Sequence, residues 1–217
     1  MGFFTNLMDS LQTIFSSWTT VATLVGILVL FIVFMKVKKI KFSSRLIAHI
    51  AIVVAMATIL DFFKIFKLPN GGSATIASML PIVLLSIIYG PVIGVFTGFV
   101  YSLLNFVIGS PYILHPIQVL FDYTLPFMAI GLSGFFKNNK YLAIGVGFLG
   151  MFICNFIAGV VFWGSTAPEG MAPIVYSFLY NGTYNLVNCL ICCGVASVIN
   201  VKDLTKRLVP YTARNAH

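Results

Sequence analysis

The sequence predicts an all-α, polytopic membrane bundle, and three observations lead there. Of 217 residues, 59% are hydrophobic and only 8% are charged, with a mean hydropathy of +1.02. An average soluble domain is about one quarter charged. The chain also contains uncharged runs at 10–35, 68–121, 141–168 and 170–201, long enough for helices of about 20 apolar residues that cross a bilayer. Finally, the 13 basic residues, against 5 acidic ones, gather in short clusters between those runs. That pattern argues against nucleic acid as a partner and for a lipid bilayer. Hydrophobicity excludes disorder. Cys154, Cys189, Cys192 and Cys193 are too few for a disulfide scaffold of this length.

The runs divide into spans at 17–36, 45–63, 74–89, 92–109, 115–136, 141–163 and 171–200. The first has no basic residue before Lys36 and no small-residue cleavage site before the basic cluster, so it reads as a retained helix and not a signal peptide. The second carries Ala51 and Ala55 as Ala-x-x-x-Ala, a spacing that lets helices approach closely, either within the bundle or against a partner. Tyr89-Gly90-Pro91 separates the third span from the fourth, and Gly109-Ser110-Pro111 the fourth from the fifth. Proline cannot continue a helix and restricts the residue before it. Gly90, Gly94 and Gly98 form a second small-residue stripe.

Basic residues favour the cytoplasmic side of short loops. With the N-terminus outside, the cytoplasmic segments hold Lys36, Lys38, Lys39, Lys41, Arg45, Lys137, Lys140, Lys202, Lys206, Arg207 and Arg214, leaving Lys64 and Lys67 outside. The C-terminus is then cytoplasmic. Asp9, Asp61, Asp122 and Glu169 fall at or near the outer side. An acid within a span is costly and marks a functional site by default; Asp122 is such an acid.

The fifth span places Tyr112, His115, Gln118 and Asp122 at helical spacing, with Tyr123 adjacent, which predicts one polar, aromatic face. The sixth places Asn155, Gly159 and Trp163 four residues apart. The asparagine offers a donor and an acceptor, the glycine room for a ligand ring, and the indole a stacking surface that also attracts cations. The last carries Tyr176, Asn181, Asn185 and Asn188. Each stripe also fits interhelical hydrogen bonding or packing. Together they predict an outward-facing pocket of aromatic rings, amides and one carboxylate, without a basic residue. It suits a flat, cationic heteroaromatic ligand. A phosphate would call for Arg or Lys. Cys189-x-x-Cys192-Cys193 lies in an apolar helix without a nearby histidine and reads as structural. No metal site or cofactor is predicted, and no nucleotide-binding motif is present.

Several segments carry a family resemblance. They are Leu68-Pro69-Asn70-Gly71-Gly72-Ser73, Tyr112 to Gln118, Ala167-Pro168-Glu169-Gly170-Met171, and Tyr176 to Gly182. Over about 45–200 the chain resembles the ThiT family, the thiamine-binding S-components of energy-coupling factor (ECF) transporters. The resemblance implies a six-helix S-component core at 45–200, preceded by an extra transmembrane helix and basic linker at 1–44 and followed by a basic cytoplasmic tail at 201–217. It implies a multi-pass protein of the bacterial cell membrane, not an enzyme, that binds thiamine near the outer face. Its partners would be a transmembrane coupling subunit, met by Ala51 and Ala55, and two cytoplasmic ATPases. The implied thiamine contacts are Tyr112, Asp122, Tyr123, Asn155, Gly159, Trp163, Tyr176 and Asn181. Asp122 replaces the family's usual Glu, and Asn155 its usual His. Alternatives are an S-component for another vitamin or a thiamine precursor, a membrane enzyme using Asp122 with His115, and a stand-alone transporter.

Overall fold

The computed structural model describes residues 25, 42–109 and 111–208. Of the predicted first span only Val25 is among them, and it is helical; the rest of that span, the 1–41 linker clusters and the tail beyond 208 lie outside the described residues.

Helix α1 (Ser44–Phe62) starts where the Ser43 hydroxyl accepts the Leu46 amide at 3.2 Å, satisfying one of the free amides of a helix start. It buries Leu46, Ile50, Val54 and Ala57 on one face. Ala51 and Ala55 lie on the opposite, exposed face beside Ile52, Met56 and Ile59. A short antiparallel hairpin follows, β1 (Lys64–Lys67) with β2 (Ser73–Thr75), pairing Lys64 with Thr75 and Lys67 with Ser73. Its turn places Asn70 and Gly71 at positive φ, a conformation that Gly and Asn tolerate best.

Helix α2 (Leu80–Tyr89) has 10 residues, so the first six residues of the expected span at 74–89 are strand, bend and turn. A helix that short rises about 15 Å, half a hydrocarbon core. The cause is lateral partnership. The Asn188 carboxamide accepts the Thr75 amide and donates to the Ser73 carbonyl, both at 2.9 Å. Ser78 and Thr75 bond each other through their hydroxyls at 2.7 Å. Irregular backbone at membrane depth survives only where protein satisfies it, and here it is satisfied. Hydropathy cannot see this.

Helix α3 (Pro91–Ile108) begins with Gly90 at φ 93°. Its Gly94 and Gly98 lie against α4 (Pro116–Phe135). A β-carbon on Gly98 would fall 2.1 Å from the Phe127 carbonyl oxygen, and one on Gly131 would fall 2.1 Å from the Val95 amide. The glycine stripe is thus internal packing. Helix α5 (Lys140–Phe162) is capped by Asn139, which accepts the Tyr141 and Leu142 amides at 3.1 Å. Helix α6 (Pro173–Ser197) packs along it, and α7 (Val201–Leu208) turns away by 75°. Lys140 donates to the Ala196 and Ile199 carbonyls at 2.6 and 3.0 Å, capping the end of α6 with a cation.

Among the described residues, α1, α3, α4 and α5 are long and apolar enough to cross a membrane, and α6 with α7 makes a fifth, bent candidate. With α2 these form the six-helix core. His49, on α1, bonds the Tyr89 hydroxyl through Nδ1 at 2.7 Å, a packing role. The fold sets the hairpin, the start of α4, the end of α5 and the start of α6 around one cavity.

Candidate functional site

The site begins with Pro126. A proline has no amide to donate four residues back, so the Asp122 carbonyl has no helical partner there. Helix α4 answers with a π-helical turn at Leu120–Thr124, closed by the Leu125 amide on the Leu120 carbonyl. Such turns recur at functional sites. This one brings consecutive Asp122 and Tyr123 onto the same cavity wall. The freed Asp122 carbonyl lies 3.5 Å from the Asn155 amide nitrogen.

The Asp122 carboxylate is oriented on one oxygen. Oδ2 accepts the Trp163 indole N–H at 2.7 Å and the Gln118 amide at 2.7 Å. Among the described residues, Oδ1 accepts no hydrogen bond. Bonds to a carboxylate are short and strong because one partner is charged. The result is a half-buried, positioned anion with one free oxygen.

Gln118, fully buried, organises the segment before the helix. It donates to the Tyr112 carbonyl and accepts the Leu114 amide, both at 3.2 Å. The Tyr123 hydroxyl accepts the Tyr112 amide at 3.0 Å. The Tyr112 ring thereby stands 5.6 Å from the Trp163 ring, tilted by 44°.

The expectation of one helical face from Tyr112 to Asp122 is corrected here. The helix starts at Pro116, because proline favours the first helical position and excludes the residue before it from the helix. Tyr112 and His115 precede it in irregular chain, His115 with extended backbone. His115 caps the helix, accepting the Ile117 amide through Nδ1 at 3.2 Å, and stacks on Phe162. It does not line the cavity with Asp122.

Tyr112, Asp122, Tyr123, Asn155, Gly159, Trp163, Tyr176 and Asn181 all line a single cavity of about 610 Å³, within the range usual for small-molecule sites. Asn181 is committed on its donor side: its amide donates to the Ser177 carbonyl and hydroxyl at 3.1 Å, and its oxygen accepts the Tyr184 hydroxyl at 3.0 Å. The oxygen's second lone pair remains for a ligand donor. Asn185 bonds Asn155 at 3.4 Å behind the cavity wall, whereas Asn188 lines the cavity and holds the hairpin.

Of the two roles expected for Gly159, room for a ligand and helix packing, the structure shows the packing directly, and the glycine also lines the cavity. A β-carbon there would lie 2.2 Å from the Ser177 hydroxyl and 2.7 Å from the Asn181 amide. The glycine lets α6 approach α5 and only secondarily widens the cavity. Gly159→Ala is expected to destabilise the protein by about 1–3 kcal/mol through overpacking, measurable as a lower Tm in detergent. An unchanged Tm would contradict this packing role.

Sequence reasoning missed part of the wall. Tyr180 donates to the Pro69 carbonyl and accepts the Gly72 amide at 2.9 Å, and Asn70 lies 3.4 Å from the Tyr176 hydroxyl. The spacing of Tyr176, Tyr180 and Tyr184 by fours was the available signal. Asp61, Lys64 and Asn105 also line the cavity, so the expectation of a pocket with one acid and no base is corrected. Among the described residues no cluster of His, Cys, Asp or Glu could hold a metal ion.

Residues 47–208 match the family described as Thiamine transporter protein (Thia_YuaJ). The thiamine transporter ThiT of Bacillus subtilis is 36% identical over 169 residues, 70% of this chain and 88% of that protein. The thiamine transporter ThiT of Lacticaseibacillus paracasei is 34% identical over 140 residues, 56% of this chain and 70% of that protein. A solved structure of ThiT from Listeria monocytogenes matches with a TM-score of 0.68 at 26% identity, covering 76% of this chain and 97% of that one. The fold, the span-forming helices and the family match agree: this chain is a membrane protein that belongs to the ThiT family of thiamine transporter proteins.

Proposed function

We propose that this chain is the thiamine-binding S-component of an ECF-type transporter, capturing thiamine at the outer membrane face. The observation that carries this reading is Asp122, an acid set within a span, oriented by Trp163 and Gln118 and left with one free oxygen toward an aromatic cavity. The aminopyrimidine stacks on Trp163. Its amino group donates to Asp122 and to the Asn181 oxygen. The thiazolium cation lies among Tyr112, Tyr123 and Tyr176, whose ring faces attract positive charge. The hairpin over 64–75 closes the site, held by Tyr180 and Asn188.

The arrangement of charge supports an orientation. Lys140 touches the end of α6, and Tyr89, near the start of α1, bonds Leu208 at 3.4 Å. The basic residues of the α4–α5 turn and α7 thereby share one end of the bundle, the cytoplasmic one. Lys64 and Lys67 lie at the opposite, outer end with the cavity. With the expected span at 17–36 crossing once before α1, we place the N-terminus outside and the C-terminus inside. The exposed Ala51 and Ala55 face of α1 meets the transmembrane coupling subunit, and two partner ATPases supply the energy. The chain itself is a binding subunit and not an enzyme.

A competition assay separates ligands. Labelled thiamine bound to the purified chain is expected to be displaced by unlabelled thiamine and not by riboflavin. Displacement by hydroxymethylpyrimidine at equal concentration would instead assign the site to a precursor. Uptake in cells is expected to stop when the partner ATPases are inactivated; uptake that continued on an ion gradient would make the chain a stand-alone transporter.

A further inference from the structure

The cavity has a second polar region that the thiamine contacts above leave unused. Asp61 at the end of α1, Lys64 on β1 and Asn105 on α3 line the same void as Asp122 and Trp163. Their arrangement parallels the first region. Asn105 donates to Asp61 Oδ2 at 3.4 Å and to the buried Tyr101 hydroxyl at 3.3 Å, and Lys64 lies 3.9 Å from the same Oδ2. Among the described residues, Asp61 Oδ1 accepts no hydrogen bond. Both carboxylates of the cavity thus have one anchored oxygen and one open oxygen.

We propose that Asp61 is a specificity-determining residue that accepts the hydroxyl at the far end of the ligand and selects the free alcohol over its phosphate ester. The inference rests on thiamine being the ligand of the Asp122 region. Thiamine carries its amino group at one end and a hydroxyethyl arm at the other, so one ligand seated at Asp122 leaves a primary alcohol for the remaining polar wall. An ionised carboxylate accepts a hydroxyl hydrogen well. It repels a phosphate in the same place, because like charges at contact are unfavourable wherever water is partly excluded. Lys64 does not reverse this preference. Its ammonium already faces Asp61, and a phosphate could use it only by approaching the carboxylate.

The test measures the affinities of thiamine and of its phosphate monoester for the purified full-length chain, with Asp61→Asn and Lys202→Ala beside wild type. Asp61→Asn keeps the size of the side chain and removes its charge. Thiamine affinity should fall about tenfold in Asp61→Asn while the ester's does not fall, so the selectivity narrows by at least about tenfold. In Lys202→Ala, an exposed position on α7 away from the cavity and so a folded control, both affinities should hold within about twofold. Equal losses for both ligands in Asp61→Asn, or no change in either, would overturn the assignment while leaving the Asp122 site standing. An ester that binds wild type as tightly as thiamine would also overturn it. Wild type that binds no thiamine would remove the underlying reading and this one with it.

Discussion

Asp122→Ala should weaken thiamine binding by at least about tenfold, the loss expected when a charge-assisted hydrogen bond disappears from a sheltered site. The effect has two parts. The ligand amino group loses its acceptor, and the Trp163 indole and the Gln118 amide lose the oxygen that orients them. Trp163 would then be free to leave its stacking position, so the loss should exceed that of a bond to the ligand alone. Asp122→Asn should fall between wild type and alanine, because it keeps an acceptor oxygen without the charge. Asp122→Glu should retain binding, with the longer side chain reaching the same region. Calorimetric titration checks the series. Alanine with wild-type affinity would remove Asp122 from the site.

Asn188→Ala should cost about 1–3 kcal/mol of stability and loosen the hairpin. A buried amide left without its acceptor loses the desolvation energy of that group. Asn188 provides the acceptor for the Thr75 amide and donors to the Ser73 and Tyr184 carbonyls, so three backbone groups are disturbed by one substitution. The measurement is thermal unfolding in detergent with and without thiamine. A lower Tm is expected in both, with faster release of bound thiamine because the hairpin closes less firmly over the cavity. Tyr180→Phe should speed release with a smaller change in Tm, since Tyr180 touches the hairpin nearer its exposed turn. An Asn188→Ala protein with wild-type Tm would contradict the role given to this residue.

Much of the bundle was legible because apolar length and proline position are local properties. α1, α3, α5 and α6 fall where uncharged runs and breaks place them. The failures share a cause in tertiary partnership. Residues 74–79 read as the start of a helix, but Asn188 holds Ser73 and Thr75 in a strand and 76–79 form bends and turns before α2. Tyr112 and His115 have helical spacing, yet Pro116 fixes the helix start after them. Pro126 stands inside the segment 115–136 that read as one unbroken span. Its consequence, a π-helical turn that sets Asp122 and Tyr123 side by side, needed the structure. The predicted ligand residues do meet at one cavity: Asn155, Gly159 and Trp163 lie four apart along α5 and its C-cap, whereas Tyr112, Asp122 and Tyr123 arrive through the irregular chain before Pro116 and the π-helical turn. Asp61 and Asn105 were not legible as a pair because they lie 44 residues apart on different helices. At Gly159 the spacing left two readings open, and only the structure shows that its missing β-carbon makes room for Ser177.

The central claim is that thiamine occupies the cavity against Trp163. It is tested most directly by titrating the purified chain with thiamine and following tryptophan fluorescence. The sequence has 2 tryptophans, Trp18 and Trp163. Saturable quenching at submicromolar thiamine that is lost in Trp163→Phe is the predicted result. Wild type showing neither quenching nor heat in a parallel calorimetric titration, or quenching that persists unchanged in Trp163→Phe, would contradict it.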